Sequence, residues 1–307
     1  MYDESLIYAI NEAVSLTESR LTDAMPHCAQ SISAWIRKLS GSLKPADYFL
    51  HPSAYPMFLF PWWAEKIVST CHSPEFQKSI AYATANGYYY IRLIDDIMDA
   101  DGSEDCKILP ALNFFHMEFQ STYFDFFAAD HRFWGDFRTY WSRSGDCAMH
   151  DSTLDELSEE QFCEVAAQKV CAVSIPVTAV CYYYNRADVI TPMKRLIELF
   201  GYWHQMLNDM FDWHKDFTHG NASFFLTRGR HSLEGDESVA MWFVRDGFSW
   251  GCGLLDRWMS DMKTVAEDLQ NPDILDYLEK RDMMYCKKKD EMSKGINILR
   301  RLIDTAK

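Results

Sequence analysis

The sequence predicts an all-α protein, because apolar residues recur at helical rather than alternating spacing through most of its 307 residues. Leu6, Ile10, Val14 and Leu21 are one example, since they fall near one face of a helix. We find no run of alternating β-branched residues and no glycine-rich strand-to-helix turn. The 13 glycines also suit helices that are joined by short connections. We therefore predict a single α-helical domain over residues 1–307, without internal repeats or linkers.

The limits of the helices follow from periodicity and from residues that favour helix ends. Ser31 is a favoured N-cap, and Pro61 and Pro110 each suit the first turn of a helix. We expect the segment 217–238 to be a loop, either a lid or an ordinary surface loop. The predicted helices span 6–21, 31–39, 62–71, 76–98, 109–127, 154–184 (as one helix or two), 192–214, 239–269, 273–281 and 288–303, and the predicted loops span 41–56, 101–109, 129–153 and 217–238.

Charge and cysteine content exclude several classes of protein. The chain has 30 Lys and Arg against 45 Asp and Glu, a net charge of −15, whereas an ordinary nucleic-acid binder needs a basic face. The nine cysteines show no CxxC pairing and so form neither a zinc nor a disulfide framework. The acidic N-terminal segment is unlike a signal peptide, and the most apolar stretch, 170–184, is too short to cross a bilayer. We therefore expect a cytoplasmic protein without a membrane span.

A first cluster of carboxylates, Asp95, Asp96 and Asp99, ends an apolar helical run. Asp95 and Asp99 share a helix face because they are four residues apart. Two neighbouring carboxylates repel each other unless a cation neutralises them, and oxygen ligands select a hard ion such as Mg²⁺ or Mn²⁺. The cluster is therefore either a metal site or a solvated acidic helix end.

A second oxygen-rich segment lies on another predicted helix. Asn208, Asp212 and Asp216 follow one another at intervals of four residues, which places them on one helix face over two turns. Such a ladder can hold one Mg²⁺ and leave coordination positions for phosphate and water. Lys215, beside the third of these residues, is placed to contact a bound anion. The alternative is an amphipathic helix with an acidic outer face.

The pair of segments is more specific than either one alone. Two helices that each present oxygen ligands can hold a cluster of divalent ions between them, and such a cluster binds a group with several negative charges. A diphosphate fits that description. The metal ions would also invert the local sign of charge, which explains how a chain of net charge −15 would bind an anion.

Both segments resemble the metal-binding motifs of the class I terpenoid synthases, the α-helical family that includes terpene cyclases and isoprenyl diphosphate synthases. Residues 95–99, DDIMD, match the family's DDxxD motif in full. Residues 208–216, NDMFDWHKD, resemble the second motif of the cyclases, (N/D)Dxx(S/T)xx(K/R)(D/E), except that Asp212 replaces the Ser or Thr. That departure moves the motif toward the version found in the prenyltransferases. Gly201 and Gln205 are similar to the G-x-x-x-Q-x-x-(D/N)-D pattern of that branch.

The resemblance implies a helical bundle around a central apolar cavity, in which three Mg²⁺ ions bind the diphosphate of a polyprenyl substrate; Mn²⁺ is an alternative. The carbon–oxygen bond would ionise to an allylic carbocation, which the cavity folds and shields from water. Asp95, Asp99, Asn208, Asp212 and Asp216 are the implied catalytic residues. The implied metal ligands are Asp95, Asp96, Asp99, Asn208, Asp212 and Asp216.

The resemblance also implies groups that contact the substrate. Lys169 is similar to a basic residue that senses diphosphate upstream of the second motif, and an ordinary surface lysine is the alternative. Pro176 either breaks its helix, as in the cyclases, or only kinks it. Aromatic rings can offer π faces to a carbocation, although each can instead be a core residue. The implied substrate-binding residues are Lys215, Lys169, Arg92, Arg228, Tyr88, Trp203 and Phe211.

The predicted reaction is ionisation and cyclisation of one polyprenyl diphosphate. In the family, chain elongation uses a pair of arginines shortly after the first motif, whereas residues 100–105 contain none. The alternatives are an isoprenyl diphosphate synthase, which condenses an allylic diphosphate with isopentenyl diphosphate, and a non-catalytic helical binding protein. The bulk of Tyr90 and Ile91 before the first motif favours a substrate of fifteen or twenty carbons. A homodimer is the default expectation for the assembly.

Overall fold

The computed structural model describes residues 2–99, 106–151, 156–220 and 222–306, and these residues are helical throughout, apart from their connections. No strand occurs within those ranges, so the predicted all-α class is confirmed for them. The chain forms two compact units. Unit 1 comprises Met1–Tyr140 with Val173–Met193, and unit 2 comprises Trp141–Ala172 with Lys194–Lys307. The single domain over 1–307 stays a prediction.

Most helices begin and end close to the predicted limits. Pro61 lies in the first turn of its helix and Pro110 directly precedes one, whereas Ser31 lies inside a helix instead of capping it. The helices are α1 (Glu4–Ala24), α2 (Ala29–Ser40), α3 (Asp47–Leu50), α4 (Leu59–Val68), α5 (Pro74–Asp99), α6 (Ala111–Ser121), α7 (Phe133–Asp151), α8 (Glu159–Val170), α9 (Ser174–Tyr183), α10 (Ile190–His219), α11 (Phe224–His231), α12 (Val239–Trp242), α13 (Phe248–Asp268) and α14 (Pro272–Ala306).

The structure differs from the predicted helix limits near the end of the sequence. The segments 273–281 and 288–303 belong to the single helix α14, because no glycine or proline separates them. Conversely, the predicted helix 239–269 is α12 and α13 joined by the π-helical turn Phe243–Gly247. At that turn the indole of Trp242 lies so close to Gly247 that a Cβ there would be 2.7 Å from the ring, so the local geometry requires glycine.

Besides the one-turn helix α3 within 41–56, two of the predicted loops contain longer helices. Helix α7 covers most of 129–153, where Phe133 and Tyr140 are buried at helical spacing between charged residues that obscure the period. Helix α11 lies within 217–238, and the Ser223 side chain caps it by accepting a backbone N–H. The loop prediction is therefore wrong at both places.

In unit 1, α5 packs against both α1 and α6, and α4 packs against α9. A buried polar contact supports this arrangement, since Asn86 Nδ2 on α5 donates to Thr17 Oγ1 on α1 over 3.1 Å. Asn86 and Thr17 are both fully buried. The same packing buries Tyr89 and Leu93. The inner face of α5 is therefore packed as far as the first carboxylate cluster, which begins at Asp95.

A buried carboxylate joins three elements of unit 1. Glu65 on α4 is completely buried, and its oxygens accept from Tyr184 Oη at 2.6 Å, from the Ser73 backbone N–H at 3.3 Å and from the Gln77 amide. His72 Nδ1 lies 3.1 Å from Glu65 Oε2. Burial and the hydrogen bond to Glu65 raise the pKa of the Tyr184 hydroxyl, so it remains a donor. Glu65 thus ties α4 to the start of α5 and the end of α9.

In unit 2, α10 contacts both α8 and α14. A Cβ at Gly201 would lie 2.8 Å from Val170 Cγ2 and 3.1 Å from the Ala166 carbonyl oxygen, so glycine lets α8 pack directly on α10. On another side of α10, Trp203 packs against α14, with its ring 6.0 Å from that of Tyr285. The buried guanidinium of Arg281 lies 5.4 Å from the Trp203 ring.

His204 on α10 is held neutral by its surroundings. Its ring stacks on Phe200 at 6.3 Å, and burial together with the positive charge of Arg281 lowers the pKa of His204 to about 4. An unfolded histidine titrates near pH 6.5, so between these two values the unfolded state binds more protons. The free energy of unfolding should therefore fall as the pH drops through this range.

When the pH falls from 7.5 to 5, the free energy of unfolding of the wild type should drop by about 2 kcal/mol more than that of His204→Gln. Denaturant titrations of the wild type and the variant at both pH values measure this difference. Other groups titrate equally in the two proteins, so only the difference between their pH dependences counts. Identical pH dependences would show that His204 is not held neutral by burial.

Candidate functional site

The first carboxylate cluster lies at the end of α5 in unit 1. Asp95 and Asp96 are half-buried in the last turns of that helix, while the side chain of Asp99 lies outside the described part of the chain. The backbone is helical through Asp99, so Asp95 and Asp99 occupy the predicted positions four residues apart on one helix.

Asp96 has partners that the sequence did not predict. Its Oδ2 accepts from the indole Nε1 of Trp35 on α2 at 2.8 Å, and its Oδ1 pairs with Arg92 Nη2 at 2.6 Å. Burial is the largest single effect on Arg92 and lowers its pKa, but the surrounding groups, Asp96 foremost among them, together outweigh burial and raise the pKa of Arg92. Arg92, which we predicted to contact substrate, therefore lies against the carboxylate cluster itself.

Tyr88, another predicted substrate contact, lies one turn before Arg92 on α5. Its hydroxyl forms a short hydrogen bond with that of Tyr48 from α3, and burial raises the pKa of Tyr88. Tyr88, Arg92 and Asp96 thus form a polar row at intervals of four residues on α5. This row, together with Trp35, holds the side of α5 that carries Asp96.

The second oxygen-rich segment occupies the last turns of α10 in unit 2. The helix is unbroken to His219, so Asn208, Asp212 and Asp216 share one face, as their spacing predicted. Asn208 and Asp212 are exposed and Asp216 is half-buried. Lys215 is also exposed in the same turn as Asp216. These oxygen atoms are accessible for ligands.

Asp209, in the second oxygen-rich segment, is a buried carboxylate to which the sequence analysis assigned no role. It matches the family motif but was not predicted to be a ligand, and yet only 5% of it is exposed. Gln205 Nε2, one turn earlier on α10, donates to Asp209 Oδ1 at 2.8 Å. The spacing of four residues between Gln205 and Asp209 was the available signal for this pair. Gln205 therefore fixes the buried side of the motif.

Lys169 lies at the end of a helix that contacts α10 near the second motif. It is half-buried in the last turn of α8, whose Ala166 and Val170 pack against Gly201. Gly201 lies on the same face of α10 as Asn208, about two turns earlier. Lys169 thus belongs to the turn of α8 that meets this face.

A 3₁₀ turn interrupts the α-helical pattern shortly before Pro176, where the sequence predicted a break or a kink. Helix α8 ends at Val170, a 3₁₀ turn spans Cys171–Val173, and α9 begins at Ser174. Because proline has no N–H, the carbonyl of Ala172 has no helical partner four residues later. The hydroxyls of Ser174 and Thr178 on α9 are buried, and neither finds a hydrogen-bond partner within the described ranges. These groups can serve a bound molecule or water.

The remaining predicted substrate contacts lie at different places in unit 2. Trp203 is only 1% exposed and packs between Arg281 and Tyr285 on a different face of α10 from Asn208, which favours a core role. Phe211 is half-buried, and Lys288 Nζ lies 3.7 Å from its ring centroid. Arg228 is exposed on α11, with its guanidinium 5.7 Å from the ring of Trp250.

The donor chemistry of both segments fits Mg²⁺, since all their candidate ligands are carboxylate or amide oxygens. Among the described side chains, no three His, Cys, Asp or Glu residues are grouped as a metal site. That set includes neither the side chain of Asp99 nor an amide ligand such as Asn208.

One helical stretch in the described ranges, Glu159–Tyr183, is long and apolar enough to cross a membrane by length and composition alone. Its most apolar window is 67% buried inside the protein, as is usual for a core helix.

No family model matches this chain, and no curated protein matches it either.

Proposed function

We propose that this protein is a class I terpene synthase that ionises a linear polyprenyl diphosphate with Mg²⁺ and cyclises the resulting carbocation. The observation that carries the proposal is the placement of two oxygen-ligand sets, Asp95 with Asp99 and Asn208 with Asp212 and Asp216, each in the last turns of a long helix. Spacing of four residues presents each set on one helix face. An acidic surface evolved only for solubility has no need of this register.

Bound Mg²⁺ would supply Lewis-acid stabilisation of the negative charge that develops on the departing diphosphate. The residues that would hold the ions are Asp95, Asp99, Asn208, Asp212 and Asp216. Asp96 has a different part, because Arg92 and Trp35 already engage both of its oxygens. It anchors the end of α5 and so orients Asp95.

The basic groups of unit 2 would bind the diphosphate itself. Lys215 is exposed next to Asp216, and Lys169 belongs to the turn of α8 that packs on α10. Each would add an electrostatic contact to the leaving group that strengthens as the carbon–oxygen bond breaks. The Ala172 carbonyl, which Pro176 deprives of its helical partner, would direct a dipole toward the cation.

Cyclisation is favoured over condensation because a second diphosphate would need a second cationic site. The chain has no arginine in 100–105, the segment that follows the first carboxylate cluster. The nearest guanidinium before it, that of Arg92, is paired with Asp96. A second anion near this cluster would therefore be repelled.

The experiment is incubation of the purified chain with Mg²⁺ and allylic diphosphates of ten, fifteen and twenty carbons, each with and without isopentenyl diphosphate. We expect release of inorganic diphosphate and formation of an extractable hydrocarbon or alcohol from one allylic substrate alone. Products that require isopentenyl diphosphate and keep the diphosphate group would identify a prenyltransferase. No diphosphate release from any substrate would leave a binding protein and refute the proposal.

Trp35→Phe tests the orienting role of Asp96. The phenyl ring keeps the edge-to-face contact with Tyr89, whose ring lies 6.0 Å away, but removes the donor to Asp96 Oδ2. We expect the Mg²⁺ concentration for half-maximal diphosphate release to rise about tenfold, as for other groups that orient metal ligands. A loss of activity that excess Mg²⁺ does not restore would show that Trp35 serves only the fold.

A further inference from the structure

Helix α14 carries an exposed apolar patch that the proposed reaction does not use. Ile298, Leu299 and Leu302 are 60%, 48% and 60% exposed, and they lie within two turns of one another. Exposed apolar clusters of this kind usually mark an interaction surface. We call Ile298, Leu299 and Leu302, with the flanking Lys294 and Arg301, the α14 patch.

The opposite side of α14 is firmly packed in unit 2. Arg300 Nε donates to the Val244 carbonyl at 2.6 Å and its Nη2 donates to the Arg245 carbonyl at 2.7 Å, while Ile296 is 3% exposed. The patch is therefore the outward face of a packed helix. Its apolar side chains stay exposed because these contacts prevent the helix from rotating about its axis.

Basic residues surround the patch. Lys294, Ile298 and Arg301 lie at intervals of four and three residues on one face, and Lys294 and Arg301 are exposed. Neither basic side chain forms an ion pair with any residue in the described ranges. Residues 287–303 contain six Lys and Arg and two acidic residues, which gives this segment a net charge of +4, whereas the whole chain has a net charge of −15. An apolar strip beside basic residues is typical of a helix that lies on an anionic lipid surface.

We propose that the α14 patch binds an anionic membrane surface, with Ile298, Leu299 and Leu302 inserted between headgroups and Lys294 and Arg301 paired with lipid phosphates or carboxylates. A second copy of the chain fits the patch less well. In a two-fold dimer the patch would face itself and bring basic residues against basic residues. An anionic surface instead complements both the charge and the apolar strip.

The patch lies at the end of unit 2 that carries the second oxygen-ligand set. Contacts between α10 and α14 advance together along both helices, from Phe200 with Tyr277 at 6.0 Å to Phe211 with Lys288 at 3.7 Å. The helices thus run in the same direction, and the α14 patch lies level with or beyond the end of α10. If the proposed function holds, membrane binding brings that end of the protein to the phase in which a polyprenyl chain dissolves; this consequence alone rests on the proposed function.

The test is vesicle flotation of the full chain in EDTA without substrate, so that its outcome is independent of catalysis. We expect at least about tenfold more binding to vesicles of phosphatidylcholine with about 30% phosphatidylserine than to phosphatidylcholine alone. Raising the salt concentration from about 0.1 M to about 0.5 M should weaken binding several-fold. No binding of the wild type to the anionic vesicles would overturn the proposal.

Two double variants separate the parts of the patch. Ile298→Ser with Leu302→Ser, and Lys294→Glu with Arg301→Glu, should each reduce binding to anionic vesicles about tenfold or more. The matched control is Leu43→Ser with Met117→Ser, which removes side chains that are 94% and 56% exposed in unit 1 and should bind like the wild type. Equal binding by all three variants would refute the proposal that the α14 patch binds the membrane. A dimer that the Ile298→Ser, Leu302→Ser variant dissociates, without vesicle binding by the wild type, would assign the patch to a second copy instead.

Discussion

Asp95→Asn and Asn208→Ala are each expected to reduce Mg²⁺-dependent diphosphate release by about 10²- to 10³-fold, because each removes a ligand to an ion that stabilises the leaving group. Asn208 is exposed, so its replacement should change the free energy of unfolding by less than about 0.5 kcal/mol. Asp95→Asn preserves shape and removes only the charge. Initial rates of diphosphate release at saturating substrate over a range of Mg²⁺ concentrations measure both effects.

Asp261→Asn provides the matched control for these variants. Asp261 is an exposed carboxylate on α13, outside both oxygen-ligand sets, and its loss changes the net charge of the chain by the same amount as Asp95→Asn. We expect wild-type rates for it. Wild-type rates in Asp95→Asn and Asn208→Ala as well would mean that the two sets do not act in the reaction, whatever the protein binds.

The sequence predicts the fold best where the apolar stripe of a helix is uninterrupted. Residues 6–21 and 76–98 are predicted within three residues of the limits of α1 and α5, because their inward positions are apolar at regular spacing. Helix α7 was missed since charged and polar residues separate its buried aromatics. Helix α14 was predicted as two helices because the exposed Met283 and Met284 between them obscure the apolar period, although no glycine or proline ends the helix there.

The candidate site shows the same division between local and tertiary information. The common face of Asn208, Asp212 and Asp216 follows from spacing alone, and the unbroken helix confirms it. The bond from Trp35 to Asp96 joins residues 61 positions apart, so no local pattern predicts it. Residue spacing within one helix therefore predicts the candidate ligands but not the residues that orient them.

The break between α8 and α9 lies between these extremes. Pro176 predicts a disturbance, but either a kink or a break satisfies the missing N–H. The structure has a 3₁₀ turn at Cys171–Val173, between the end of α8 and the start of α9, and Pro176 lies in the first turn of α9.

The largest effect on stability is expected at Glu65, for which Glu65→Ala should lower the free energy of unfolding by about 3 to 5 kcal/mol. The change leaves the Tyr184 hydroxyl, the Gln77 amide and the Ser73 N–H without their acceptor, which is completely buried. Denaturant unfolding followed by circular dichroism measures the loss.

Two further variants separate the acceptor role of Glu65 from its charge. Glu65→Gln keeps the shape and one acceptor oxygen but turns an NH₂ group toward the surrounding donors, so a loss of about 1 to 3 kcal/mol is expected. Glu75→Ala, whose side chain is 88% exposed and 3.7 Å from Lys78 Nζ, should cost less than about 0.5 kcal/mol. If Glu65→Ala were as mild as Glu75→Ala, water would have to enter the site and replace the carboxylate as acceptor. The expected intermediate stability of Glu65→Gln would show that one remaining acceptor oxygen keeps part of the connection between α4, α5 and α9. A loss as large as that of Glu65→Ala would show that this connection requires the carboxylate.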